Sequence, residues 1–527
     1  MNRVSYAPLF MAGWFLLIIM PNYFIPLFET TDARYAEIAR EMFVSGNLLE
    51  PHFNGIKHFH KPPLTYWMTS LGYLLFGING FGARFFGAFA ALVTLMYTYR
   101  TARLLGDEKT GGNAVLILAS LALFIIVSRV VSTDIYLTMF TAIAYYHIFC
   151  RLEGVRNKLD SLKLGVILGL GFLTKGPLIL LFTIIPFILS IPFSKNHRRA
   201  FSLREWGITA VLFLFIGLPW YIAVILKNPG LLDYFIGTQT IDRVATDKFK
   251  RMEPWWYFLQ IFMLLAGPYS LYITSAMIRR RGIRQATTIT FYILFPFIVF
   301  SLSMSKLPTY ILPLFPLFAI LFAGEIPRIT NRWGLSAGHA YLLLFAFFPA
   351  LAGSFISFTE PYRIQMYAAS AFCLLVWFVT VFVMKRGLIA ASALVLIISI
   401  NSVYLVTPLI GPHMKGYRLM AEASKNIAPE LDMLCYHCFL PSLSFYRNEI
   451  VPAAISKTRE TQFQDEEEYS EYYIDENSEL KEWLSSRERL FMVTKPKNRK
   501  YFEWWFGYEC SVAFEHDRQH LFLCERD

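Results

Sequence analysis

Several stretches of the chain gather residue types able to move a group bound to phosphate. The first runs Glu29-Thr30-Thr31-Asp32-Ala33-Arg34-Tyr35, then a helix-compatible 36–44, a Ser45-Gly46-Asn47 stop, Asn54-Gly55, and His58-Phe59-His60-Lys61-Pro62-Pro63-Leu64. The others are Ser132-Thr133-Asp134, Asp242-Arg243 followed by Pro254-Trp255-Trp256-Tyr257, and Ser305-Lys306-Leu307-Pro308-Thr309-Tyr310. Carboxylates such as Asp32 and Asp134 can take a proton from a hydroxyl nucleophile, and cations such as Lys61, Arg243 and Lys306 can neutralise a departing phosphate. Plainer roles exist for each: an Asp at a helix start caps free N–H groups, and a Lys beside an apolar run snorkels to headgroups. Capping explains Asp32 but not the company of Arg34, Tyr35 and Lys61. For Asp134, which precedes an apolar run, capping, binding an acceptor and orienting Arg34 all stay open.

The elements that position these groups belong to a membrane protein. Of 527 residues, 55% are hydrophobic, 17% aromatic and only 17% charged, with mean hydropathy +0.44. That is too little polar surface to cover a water-soluble globule of this size. The formal net charge of +11 would raise the question of nucleic acid. The cations lie between apolar runs, however, and not along one stripe, which reads as the loop bias of an inner-membrane protein and excludes nucleic acid as partner.

Apolar windows long enough to span fall near 8–28, 81–99, 113–130, 133–150, 162–175, 177–193, 206–226, 256–278, 287–303, 307–323, 339–358, 364–384 and 388–410, about thirteen in all. The first is read as a retained span, since Pro21 and Pro26 interrupt it and no small-residue cleavage site follows. The stretch 62–77 is short, aromatic and opened by two prolines. If it lies along the interface, Arg100 and Arg103, Arg151 and Arg156, Arg198 and Arg199, Arg279 to Arg281, Arg328 and Arg332, and Lys385 and Arg386 all share the cytoplasmic side. Segments 29–61, 129–134 and 227–254, the Lys306 corner and the C-terminal region then face the periplasm.

After about Pro412 charged residues become frequent and no segment could span. The expected division is a membrane domain over 1–411 and a soluble periplasmic domain over 412–527. Strand-like pieces at 431–436, 489–493 and 520–524 and a polar helical stretch at 478–486 predict a small α/β fold. Four of the six cysteines fall here. A Cys510–Cys524 bridge is permitted in an oxidising compartment, while Cys435 and Cys438 could be a bridge, a metal half-site or buried thiols.

The order Asp-x-Arg-Tyr, Asn54-Gly55, Lys61-Pro62-Pro63-Leu64 resembles the first external loop of the family joining lipid A aminoarabinose transferases to protein O-mannosyltransferases, the integral-membrane GT-C glycosyltransferases. Ser132-Thr133-Asp134, the Asp242-Arg243 loop and the Lys306/Tyr310 corner are similar to later positions of that family. The resemblance implies a polytopic α-helical GT-C fold with interfacial helices. It also implies a polyprenyl-phosphate-linked sugar donor and a lipid A, lipopolysaccharide or periplasmic protein acceptor, with no metal and no cofactor in the chemistry. Asp32 would then be the catalytic carboxylate of an inverting displacement, with Asp134 as the second. Lys61, Arg243 and Lys306 would hold the donor phosphate, and Arg34, Tyr35, His60 and Tyr310 the substrates. Ala33 stands where many relatives carry Glu, and His60 where lipid A transferases often carry Glu, so the sugar and acceptor stay open among 4-amino-4-deoxy-L-arabinose and other pentoses or hexoses. A transporter of the lipid-linked sugar is the competing class. It fits less well, because its ionisable groups belong at the bilayer midplane and these lie at outer ends of spans; the interruption Thr174-Lys175-Gly176-Pro177 reads as an external turn.

Overall fold

The computed structural model describes residues 6–29, 31–241, 252–266, 269–272, 283–325, 363–378, 417–456, 471–516 and 519–526, with 343, 346, 347, 350, 351 and 354. The chain forms two compact units, Met1–Pro21 with Phe85–Thr407, and Asn22–Arg84 with Pro408–Asp527.

The first unit is helical. Helix α1 (Ala7–Ile19) tightens into a 3-10 turn, Met20–Tyr23, where Pro21 removes a backbone donor. The run α2 (Thr31–Ser45) and α3 (Leu64–Phe76) belongs to the second unit; the chain re-enters the first within α4 (Gly80–Leu105). Next come α5 (Glu108–Ser120), capped by Asp107, and α6 (Ala122–Val127), so the expected span at 113–130 is broken at the extended Leu121. Helix α7 (Thr133–Leu152) is followed by α8 (Asp160–Lys175), which ends at Gly176, whose φ of +64° suits glycine, and Pro177. Helix Leu203–Gly217 lies close against α8, because a Cβ on Gly165 would sit 2.7 Å from the Thr209 carbonyl oxygen and one on Gly169 2.8 Å from Ile216. Small residues allow that approach, which is how apolar helices gain dispersion contact in lipid. Among the described residues three helices are long and apolar enough to cross a membrane, Gly80–Leu105, Thr133–Leu152 and Leu203–Lys227. Shorter apolar helices include Ala7–Tyr23, Leu178–Phe193, Ala286–Leu302 and Pro308–Gly324. The expected spans at 339–358 and 388–410 lie mostly or wholly outside the described residues, and that at 364–384 is described only as helix Arg363–Phe378.

The second unit is mixed. Strands β1 (His52–Phe53) and β2 (Ile56–Lys57) make a hairpin turned by Asn54 (φ +54°) and Gly55 (φ +83°), the left-handed pair that a two-residue hairpin demands. Helix α3, at 13 residues, is about 20 Å long, too short for a hydrocarbon core of about 30 Å. Beyond it, β3 (Met433–Tyr436), β4 (Ala453–Ala454), β5 (Tyr473–Ile474), β6 (Arg489–Thr494), β7 (Tyr508–Phe514) and β8 (His520–Arg526) form one sheet in the order β5-β4-β3-β6-β8-β7. Strands β3 to β6 pair in parallel; β8 is antiparallel to β6 and to β7. Alternation along β3 and β6 feeds two cores, Met433, Cys435, Phe491 and Val493 on one side, Leu434, Tyr436, Leu490 and Met492 on the other. The expected strands and the 478–486 helix, here Asn477–Ser485, are all present. Cys510 and Cys524 are register partners joined by a disulfide, while Cys435 and Cys438 are free and buried.

Candidate functional site

In the second unit Asp32 is the centre of a buried network. Helix α2 opens at Thr31, so Asp32 lies inside the first turn and not at the capping position expected for it; its carboxylate accepts from the Phe28 N–H at 3.0 Å. Its counter-ion is Arg84, 1% exposed, which donates through both Nε and Nη2 to the two carboxylate oxygens. The same guanidinium donates to the carbonyls of Ile25 and Pro26, each at 2.8 Å. A planar fork with five donors can serve a carboxylate and two carbonyls at once, which a lysine cannot.

Further along α2, buried Glu37 takes two bonds from Arg40, at 2.8 and 2.6 Å, and Glu41 accepts from the backbone N–H groups of Asn54 and Gly55 at 2.6 and 2.9 Å. Helix α2 thus holds the turn of the hairpin that leads into His58–Lys61. Burial pushes the Glu41 carboxyl up to about 8, with Glu37 adding repulsion, and pushes Glu29 up to about 7 against the hydrogen bond from the Ser442 N–H. Asn54 also ties the turn to the C-terminal segment, donating to the Val451 carbonyl at 3.2 Å and accepting from Ser444.

Around this frame Tyr35 is buried against Tyr66, ring centroids 5.7 Å apart, and the half-buried Arg34 lies over the Phe53 ring at 5.4 Å. His58 is buried, its ring 4.3 Å from that of His60, and His60 and Lys61 are half-buried. The structure therefore brings Asp32, Arg34, Tyr35, His60 and Lys61 into one unit.

The first unit holds a second acid. Ser132 takes the cap of α7, its hydroxyl accepting from the Asp134 N–H at 3.1 Å, which corrects capping as the role of Asp134. The Asp134 carboxylate instead pairs with Lys175 at the end of α8. The Lys175 ammonium also lies 4.7 Å from the centroid of the Tyr310 ring, so Asp134, Lys175 and Tyr310 form one cluster. Lys306 is buried, and its ammonium donates to the carbonyls of Ser303 and Glu253 at 2.5 and 2.8 Å. Arg243 and Asp242 lie outside the described residues. Trp255 and Trp256 are exposed, as a headgroup-level belt would place them.

Arg84 and Lys175 are the two counter-ions that sequence reasoning missed. Arg84 is an isolated charge near the start of the apolar run 81–99, and a lone ionisable group in such a run is a reason to look for a buried acid. Lys175 was visible in Thr174-Lys175-Gly176-Pro177, but as a turn only.

The structure of ArnT from Cupriavidus metallidurans bound to undecaprenyl phosphate matches with a TM-score of 0.82 at 19% identity, over 99% of this chain and 98% of that one. The two chains therefore share one fold. A family model described as dolichyl-phosphate-mannose-protein mannosyltransferase matches residues 60–222. An undecaprenyl phosphate-alpha-4-amino-4-deoxy-L-arabinose arabinosyl transferase from Edwardsiella ictaluri is 36% identical over 61% of this chain, and one from Pseudomonas fluorescens 31% identical over 62%. These matches span 61% and 58% of the relatives' own lengths, less than two thirds of each. The chain is thus similar to aminoarabinose transferases over about three fifths of its length and to a mannosyltransferase family model over residues 60–222.

Proposed function

We propose that this protein transfers a sugar from a polyprenyl-phosphate carrier to lipid A or another lipopolysaccharide component at the periplasmic face of the bacterial inner membrane, with 4-amino-4-deoxy-L-arabinose the first candidate. The observation that carries the reading is Asp32, a buried carboxylate held by Arg84 at the start of α2, within the segment that resembles the family's first external loop. Relatives named as arabinosyl transferases support the donor class. In the displacement, the acceptor hydroxyl gives its proton to Asp32 and its oxygen bonds to the anomeric carbon. The bond from that carbon to the carrier phosphate breaks, and configuration inverts. Lys61 and Arg243 are assigned to the departing phosphate, Arg34, Tyr35 and His60 to the substrates, and Asp134 with Lys175 and Tyr310 to a second charged pair in contact with substrate. Lys306, engaged with two carbonyls, is assigned to holding its own corner in addition to any phosphate contact.

A second reading, transfer to periplasmic protein, draws on the family description that matches residues 60–222. Mass spectra of lipid A and lipopolysaccharide core from cells with the gene intact and deleted separate the two. Loss of one sugar mass from lipid A is the expected result. An unchanged lipid spectrum with a sugar missing from periplasmic glycoproteins moves the assignment to protein, and no change in either overturns the transferase reading in favour of transport.

A further inference from the structure

A cavity of about 400 Å³ lies within the second unit, and none of the groups assigned above to the sugar transfer lines it. Its wall includes Asn22 and the Ile78-Asn79-Gly80 turn after α3; Arg418, Glu422 and Lys425 come from helix Arg418–Ile427, and Tyr446 and Asn448 from the end of helix Pro441–Arg447. Asn22 is 1% exposed, and neither its amide nitrogen nor its carbonyl oxygen has a hydrogen-bond partner among the described residues. A buried carboxamide without partners is destabilising unless something arrives to satisfy it. An amide offers both a donor and an acceptor, so the arriving group must be polar on both counts, such as a hydroxyl.

Charge decides the rest. Arg418 and Lys425 contribute two cations against the single carboxylate of Glu422. Arg418 gives its Nε to Glu422 at 2.7 Å, and Lys425 bonds the Tyr446 carbonyl at 2.8 Å. Four of the guanidinium's five N–H donors leave from Nη1 and Nη2, and the bond to the Tyr446 carbonyl uses one of the ammonium's three protons, a pattern suited to a monoanionic phosphodiester. The Glu422 carboxylate can accept from a hydroxyl, as the Asn22 carbonyl can.

One edge of the same unit is apolar. Leu71, Leu74 and Leu75 recur at helical spacing on α3 and are 38%, 67% and 57% exposed, and the chain passes directly from the end of α3 into the Ile78–Gly80 wall. Tyr23, also in the wall, is 68% exposed. An exposed apolar stripe running to a cationic, hydroxyl-accepting cavity fits an amphiphile whose tail follows α3 and whose head enters the cavity.

We propose that this cavity is a docking site for the phosphate-bearing, hydroxylated headgroup of a membrane lipid. The test uses the full chain purified from nanodiscs of phosphatidylcholine containing phosphatidylglycerol, with lipid retained by the protein counted by native mass spectrometry. Enrichment of phosphatidylglycerol over phosphatidylcholine is expected, and it falls about tenfold in Arg418→Gln/Lys425→Gln, since two charge-assisted contacts are lost. The control Lys481→Gln/Arg489→Gln removes two cations of the same unit that do not line the cavity and keeps the enrichment. Asn22→Ala, which leaves net charge unchanged, lowers it less. Enrichment equal in the cavity and control variants, with unchanged melting temperatures, overturns the site. Glycerol 3-phosphate competing as strongly as the lipid overturns a lipid source and leaves a free phosphate ester as the occupant. Retention is read without turnover, so its failure is separate from failure of the transferase reading.

Discussion

Two of the buried acid–base pairs, Asp32–Arg84 and Asp134–Lys175, are built alike in sequence and unlike in structure. Asp32 and Asp134 each lie in the first turn of a helix, and each meets one cation from a distant segment. The partner of Asp32 is an arginine that also binds the Ile25 and Pro26 carbonyls and lies over the Phe28 ring at 5.7 Å. The partner of Asp134 is a lysine whose other neighbour is an aromatic face. A guanidinium fixed by three partners is framework: it sets where the carboxylate sits and keeps it there. An ammonium on a flexible stem can leave its acid for an incoming phosphate at the cost of one bond. The Asp32–Arg84 pair is therefore a fixed framework and the Asp134–Lys175 pair an exchangeable one.

Substituting the rigid carboxylate should have the largest effect. Asp32→Asn is expected to lower transfer by roughly 10²–10⁴-fold, the usual worth of a general base, with carrier binding retained; undiminished turnover in proteoliposomes removes Asp32 from the chemistry. Arg84→Met should break the framework itself, leaving a buried carboxylate unpaired at about 3–5 kcal/mol, seen as a lower melting temperature in nanodiscs. If Arg84→Lys restores that stability, the fork geometry is not what matters. On the exchangeable side, Lys175→Met is expected to weaken transfer about a hundredfold while Lys175→Arg keeps most of it, because charge and not fork geometry is required there. Equal losses in the two variants would erase the contrast with Arg84.

The smallest effect concerns pH. Glu29 and Glu41 have carboxyls raised to about 7 and about 8 in the folded protein by burial, well above the range of an unfolded chain. The stability tied to their protonated form is complete at pH below the unfolded value and is lost as pH rises through 7 to 8. The second unit should therefore melt at lower temperature at pH 9 than at pH 6, and Glu41→Gln should flatten that slope. A melting temperature of the native chain independent of pH in this window would show that the α2–hairpin contact carries no charge cost.

Much of the local structure was legible. A short unbroken apolar run at 490–493 announces β6, the Asn54-Gly55 pair announces its hairpin, and Pro62-Pro63 followed by a short aromatic run announces a helix too short to span. Cys510 and Cys524 flank a segment with turn-forming length, and the register of β7 and β8 places them side by side. The break at Leu121 was not legible, since a run that is apolar throughout reads as one span whether or not its backbone stays helical. Hydropathy reports solvent preference over a window and says little about single dihedral angles.

The pairing of distant charges escaped for a different reason. Nothing around Asp32 in sequence points to Arg84, and nothing around Asp134 points to Lys175. Each partner is supplied by the crossing of helices across tens of residues. The same holds for Glu29 and Asn54, which join the first loop to Ser442 and Ser444, 413 and 390 positions away. Periodicity, composition and loop charge by themselves determined that this is a polytopic helical protein with an α/β segment after its last apolar run and acids flanked by cations in its polar loops. Those properties follow from each residue's own solvent preference and its near neighbours. Which cation neutralises which acid, and whether it does so as a fixed fork or a movable point charge, was decided only by tertiary structure. A buried charge takes whatever partner the packing brings within reach, and packing is set by the whole chain.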